Sequence, residues 1–151
     1  GRSHILRIIR ELLEFEPKSK ATDIANALAF LSGILKKKAI VFLLSDFMDE
    51  GYDKTLRIAA KKHDLTGIRV YDKLEEELPN LGIVPMVDSE TKQTRLINTS
   101  SAKVRKQYAA FQNERKEAFK QLFKLNGAGT IDCRLDESYV KKLLGYFKAR
   151  I

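Results

Sequence analysis

The feature that most constrains this chain is the apolar run Ala39-Ile-Val-Phe-Leu-Leu44, which follows Lys36-Lys-Lys38 and ends in Ser45-Asp46. It is too short for most helices and rich in strand formers. Because it lacks alternation, it predicts a strand covered on both faces, as in a parallel sheet. A polar loop over 46–52 and a helix over 53–63 follow, with Leu56, Ala59 and Ala60 at the inward positions. Thr66-Gly-Ile-Arg-Val-Tyr71 then reads as a second strand, ending in Asp72. A right-handed strand–helix–strand crossover keeps its two strands parallel. Residues just past the C-terminal ends of such strands line the binding crevice, so Asp46 and Asp72 belong to one edge.

The flanking segments fit the same class. Ile5, Ile8, Ile9, Leu12 and Leu13 form a helical stripe with Ser3 available as a cap, and Pro17 follows it. Ile24, Ala27, Leu28, Leu31, Ile34 and Leu35, widened by Ala25 and Phe30, predict a largely buried helix from about Thr22. Segments 83–87 and 94–98 read as an inserted hairpin around the polar tip 88–93. A charged helix over 101–125, stopped by Asn126-Gly127, a strand over 130–135 and a helix containing Val140, Leu143, Leu144 and Phe147 complete the chain. The expected fold is α/β, a partial doubly wound, Rossmann-like sheet with helices on both faces and an inserted β-hairpin.

Composition narrows the function classes. The chain has 151 residues, 44% of them hydrophobic and 32% charged, enough for one domain with a real core. It has no apolar stretch approaching a membrane span and no signal peptide, so this segment reads as cytoplasmic in character. The lone Cys133 lies in an apolar run and is expected to be a buried thiol, in keeping with a reducing compartment. The net charge of +8 raises nucleic acid or another polyanion as a partner. The cations are scattered over helix faces and mixed with acids, which favours solvated surfaces, and no specific nucleic acid is expected. Tyr108, Phe111 and Tyr146 could stack bases, but their spacing suits core packing better.

Catalytic signatures are absent. There is no phosphate-binding glycine loop, and Gly127-Ala-Gly129 precedes a strand instead of opening a helix. His4 and His63 lie in different helical regions, with no cysteine nearby to complete a zinc site. Asp46, Asp49 and Asp53 lack the ligand spacing and distal glutamate of a calcium loop. What remains is a hydroxyl at a helix start, Thr22, and the pair Ser45-Asp46 at a strand end. They could supply part of a Mg²⁺ shell, or Thr22 could cap its helix and Asp46 the loop that follows.

Several stretches carry a family resemblance: His4-Ile-Leu-Arg-Ile-Ile-Arg-Glu-Leu-Leu13, Ala21-Thr-Asp-Ile24, Lys38-Ala-Ile-Val-Phe-Leu-Leu-Ser-Asp46 and Arg57-Ile-Ala-Ala-Lys-Lys-His-Asp64. Ile68-Arg-Val-Tyr-Asp72, Glu76-Glu-Leu-Pro79, Asn98-Thr-Ser-Ser101 and Tyr139-Val140 extend it along essentially the whole chain. The sequence resembles the bacterial family called domain of unknown function fifty-eight, whose members are similar to von Willebrand factor A domains. Those domains carry a metal-ion-dependent adhesion site: an Asp-x-Ser-x-Ser motif after the first strand, a threonine from a second loop and an aspartate after the fourth strand.

By that resemblance Thr22 matches the threonine and Asp46 the aspartate, with Ser45 and Asp72 in support. Asp-x-Ser-x-Ser does not occur in the chain. The resemblance implies that residues 1–151 are the C-terminal part of a single von Willebrand A-like domain, lacking the N-terminal strands that carry the motif. Mg²⁺ would then bind in the intact parent, and no cofactor would bind this fragment tightly. The family's association with MoxR-type AAA+ ATPases implies a protein-interaction role, not catalysis. The strand Ala39–Leu44 would keep one unpaired side, so self-association is expected, either across that strand or by the helix over Ile5–Leu13 covering apolar surface.

Overall fold

The computed structural model describes residues 1–16, 22–87 and 93–150. The first helix, α1 (Arg2–Glu14), is followed by α2 (Ile24–Ile34), β1 (Ile40–Ser45), α3 (Asp53–Lys62) and β2 (Asp64–Tyr71). A short 3-10 turn over Lys73–Glu75 leads to the hairpin β3 (Ile83–Val87) and β4 (Thr94–Asn98). Then come α4 (Ala102–Leu125), β5 (Gly129–Arg134) and α5 (Tyr139–Lys148). Three strands form a parallel sheet in the order β1-β2-β5, and β3-β4 is a separate antiparallel ribbon. The fold is α/β, with the expected strand–helix–strand unit at its centre. Asp46 and Asp72 follow the ends of adjacent parallel strands, so both stand at one sheet edge. The tip of the inserted hairpin, 88–92, lies outside the described residues.

The strands divide their side chains by parity between two unequal cores. On one face Val41 and Leu65 meet Ile24 and Leu28 of α2, Leu56 and Ala59 of α3, and Phe119 and Phe123 of α4. On the other, Ile68, Ile131 and Cys133 are covered by Leu143 and Tyr146 of α5. Gly67 lets α4 approach β2, because a Cβ there would stand 2.5 Å from the Phe123 ring. Cys133 is buried, as its apolar run predicts, and burial pushes its thiol up from its ordinary value.

Four expectations are corrected. First, β1 is not covered on both faces: Ile40 and Leu44 on the α5 side are 67% and 62% exposed. The continuous apolar run reflects a strand at the open edge of the sheet, with only its Val41 and Leu43 side against the main core. Second, α2 is not largely buried, since only Ile24 and Leu28 are enclosed while Phe30 and Ile34 face outward. Third, α2 is capped by Asp23, whose carboxylate accepts from Asn26 N at 2.8 Å, and not by Thr22. An aspartate one residue on gives the carboxylate reach to the free N–H groups of the first turn. Fourth, Ser3 lies inside α1, whose cap position is Gly1. All of the apolar stripe of α1 is exposed, and no residue of the helix is buried.

Candidate functional site

The C-terminal edge of the parallel sheet is built around the loop that leaves β1. Ser45 Oγ accepts from Phe47 N at 3.1 Å and donates to Asp46 Oδ1 at 3.4 Å. The same Asp46 oxygen accepts from Met48 N at 3.1 Å, a side-chain-to-backbone bond of the kind that closes a turn. Phe47 adopts a left-handed backbone with φ of 55°. That conformation, rare for a residue with a Cβ, turns the ring down onto Phe119 and Phe123, with centroids 4.2 Å and 5.3 Å away. The loop is thus pinned to the core by Phe47 while Asp46 stays exposed at its rim.

Asp49 joins this loop to the start of α2. Its Oδ2 accepts from Ile24 N at 2.7 Å, satisfying one of the amides that a helix start leaves free, and its Oδ1 accepts from Glu50 N at 2.9 Å. Thr22, exposed and two residues before Ile24, is carried by this bond to the same end of the sheet as Asp46. Behind the loop, Arg115 of α4 donates to Met48 O at 2.6 Å. A cleft of about 180 Å³ lies between loop and helix, lined by Phe47, Asp49, Tyr52, Arg115 and Phe119 among others. Burial, with the carboxylates of Asp53 and Asp49, pushes the Tyr52 phenol up to about 12, so it remains a neutral hydrogen-bonding group at physiological pH.

Asp72 stands beside this site but its carboxylate is engaged. It accepts from Leu74 N at 2.8 Å and forms a capping box with Glu75 around the 3-10 turn. Among the described residues, no three His, Cys, Asp or Glu side chains gather as a metal-binding cluster. Thr22 and Asp46 together offer one hydroxyl and one carboxylate. That donor set fits part of an octahedral Mg²⁺ shell, in which waters ordinarily hold several positions.

A second charged assembly escaped sequence reading. Arg69 on β2 is 7% exposed, and its Nε donates to Asp132 Oδ1 at 2.9 Å across the register partner on β5. Its guanidinium lies 3.8 Å over the Tyr71 ring and 3.5 Å from Glu76. Lys116 and Lys120 of α4 close the network through Glu76 at 3.0 Å and Asp132 at 3.3 Å. Burial raises the Asp132 carboxyl, but Arg69 and Lys120 outweigh it and hold the group below its ordinary value. A charged residue at a core-facing strand position, matched by an opposite charge on a later strand, is the signal that could have found the pair.

The network also bears on the cationic composition. Lys116, Lys120, Arg134, Lys142 and Arg150 each form ion pairs within the chain, which leaves them less available to a polyanion. Of the aromatic residues considered for stacking, Tyr108 donates to Leu74 O at 3.1 Å and Tyr146 shares a hydrogen bond with Thr66 at 2.8 Å. Phe111 is 53% exposed, with the Arg115 guanidinium 5.6 Å from its ring centroid. No described helix is long and apolar enough to cross a membrane.

Comparison with known proteins finds uncharacterised relatives of this sequence. The chain is 26% identical over 129 residues to an uncharacterised protein of Mycobacterium avium, covering 85% of this chain and 76% of that one. It is 23% identical over an alignment of 153 positions to uncharacterised proteins of Mycobacterium bovis and Mycobacterium tuberculosis, covering 99% of this chain and 48% of each. The chain therefore spans about half the length of these last relatives. No solved structure matches it. The family described as "Protein of unknown function DUF58" matches residues 1–118, well over half of the sequence, and the chain belongs to that family.

Proposed function

We propose that this chain is part of a protein-interaction module of the von Willebrand A type, which grips an acidic residue of a partner through a metal-dependent site at the C-terminal sheet edge. The observation that carries the reading is the Asp49–Ile24 hydrogen bond, which ties the loop bearing Asp46 to the segment bearing Thr22. Support also comes from the position of that loop, past the end of a parallel strand, where open α/β sheets bind their ligands.

Thr22 and Asp46 would hold Mg²⁺ directly or through water, and the cation would offer a remaining coordination position to the partner's carboxylate. Each neighbouring residue has a supporting part. Ser45 accepts from Phe47 N, Asp49 holds the loop against α2, and Phe47 anchors it to α4. Such outer contacts fix ligand orientation, and losing one typically weakens metal binding by about 10–100-fold. The role is binding, not catalysis, and the partner we propose is a MoxR-type AAA+ ATPase. The Asp-x-Ser-x-Ser segment expected of the intact domain would complete the shell from further strands.

Mg²⁺ titrated by calorimetry into a full-length family member carrying this domain should bind at least about tenfold more tightly than to its Asp46→Ala form, a loss of roughly 1.4 kcal/mol. Equal affinities in the two proteins would overturn the assignment of Asp46 as a ligand.

A further inference from the structure

The β3–β4 ribbon stands outside both cores, and none of its residues is part of either apolar cluster. Its base is firmly built all the same. Thr99, almost fully buried, donates its hydroxyl to Gly82 O at 2.7 Å and accepts from Leu81 N at 2.9 Å, while Arg105 of α4 donates to Thr99 O at 2.7 Å. The face of the ribbon that carries Ile83, Pro85, Val87 and Leu96 is exposed, Leu96 at 74%. Two antiparallel strands alone are marginal in water, and a third strand or a packed layer ordinarily completes them.

The hydrogen-bond pattern decides which edge can take a third strand. Thr99 N donates to Gly82 O at 2.8 Å, and these two residues continue the β3–β4 register by one step, so they form a hydrogen-bonded pair. Alternation along the ladder makes Val84–Ile97 and Met86–Arg95 hydrogen-bonded pairs as well. It turns the backbone groups of Ile83, Pro85 and Val87 outward on β3, and those of Thr94, Leu96 and Asn98 outward on β4. Pro85 has no N–H, so the β3 edge lacks its central donor. On β4, Asn98 O is taken by Ser101 N, but the groups of Thr94 and Leu96 face the open side, and the strand contains no proline.

We propose that the outer edge of β4 docks an extended segment of a partner protein, added antiparallel as a third strand, with apolar residues on the face of Leu96 and an acidic residue opposite Arg95. Main-chain bonds to Thr94 and Leu96 provide the pairing, and the exposed face of Ile83, Val87 and Leu96 provides the apolar contact. Arg95 supplies the charge preference. It is exposed and forms no ion pair among the described residues, and its own backbone groups point toward β3. The residue facing it on the added strand falls in a non-hydrogen-bonded pair, where Cα atoms are about 4.5 Å apart and side chains stand closest. A second copy of the ribbon cannot fill this place, because neither β3 nor β4 contains an acid to set against Arg95.

The strands expected to complete the domain extend the main sheet, whereas the ribbon is a separate sheet. Its approach is held at Glu76 by Arg69 of β2, Lys116 of α4 and Arg134 of β5, at 3.5, 3.0 and 3.9 Å. The docking edge shares no residue with the proposed metal site, so the two readings stand or fall separately.

The probe is a capped heptapeptide, Val-Thr-Val-Glu-Val-Thr-Val, titrated into a full-length protein carrying this chain. Its binding should protect the amides of Thr94 and Leu96 from hydrogen exchange. Arg95→Glu should weaken the affinity about fivefold, and a peptide with lysine in place of the glutamate should recover it on that variant. Leu96→Pro, which removes an outward donor but no bond between β3 and β4, should abolish binding, while Asp46→Ala should leave it unchanged. Protection of Thr94 and Leu96 before any peptide is added would show that the protein supplies its own third strand and would overturn the proposal. So would the absence of binding at millimolar peptide, or binding indifferent to both Arg95→Glu and Leu96→Pro. Dimerisation lost in Leu96→Pro would make a second copy the occupant and overturn it equally.

Discussion

At Asp132 the local field decides the chemistry of a single carboxyl. Burial alone would raise it, yet the bonds from Arg69 and Lys120 hold it below its ordinary value. The unfolded chain then binds more protons than the folded one between the two pKa values, so stability rises with pH across that interval. The contribution is complete above the unfolded value of about 3.9 and is lost as pH falls through the lower folded value. Asp132→Asn should flatten the stability profile in that acid window, as measured by urea unfolding at stepped pH, and an unchanged slope would contradict the ion-pair account. Asp132 and Arg69 were visible in the sequence only as members of two strands. Their register, Arg69 opposite Asp132, belongs to the tertiary pairing of distant segments. Phe47 escaped for a related reason: it sits among Asp46, Met48, Asp49 and Glu50, where no periodicity marks a core residue.

Among the elements, the contact between α4 and β2 depends on a missing side chain. A Cβ at Gly67 would lie 2.5 Å and 2.8 Å from two atoms of the Phe123 ring, itself completely buried. Gly67→Ala should force that ring or the helix outward and cost about 1–3 kcal/mol, the usual range for overpacking a core. Chemical denaturation would measure it, and a neutral result would mean that α4 yields at no cost.

The order of helices and strands was legible because a 3.6-residue period persists in segments 53–62 and 102–125, while the strands read as short runs of strand formers between polar breaks. The covering of β1 was not legible. A run such as Ile-Val-Phe-Leu-Leu has the same pattern whether a second layer lies over it or not, and only the spatial strand order shows it at an edge. The start of α2 illustrates the same limit, since Thr22 and Asp23 are both good caps and the chain uses the second.

For the whole molecule, the uneven distribution of apolar surface gives the fold its character. One face of the sheet carries three helices and a continuous core, while the other carries α5 and leaves Ile40 and Leu44 largely bare. The stripe Ile5, Ile8, Ile9, Leu12 and Leu13 adds a second exposed apolar surface on α1. Exposed surfaces of this kind accompany association. The site loop projects from the same sheet, fastened at Phe47 and Met48 to α4 and at Asp49 to the start of α2.

The central claim, that this loop presents a metal-assisted grip for a partner, is tested most directly by the affinity of a full-length family member for a MoxR-type ATPase. It should be measured with Mg²⁺, with the metal chelated, and with Asp46→Ala. The account predicts that chelation and Asp46→Ala each weaken binding by at least about tenfold and that their effects do not add. Binding of equal strength under all three conditions would contradict it.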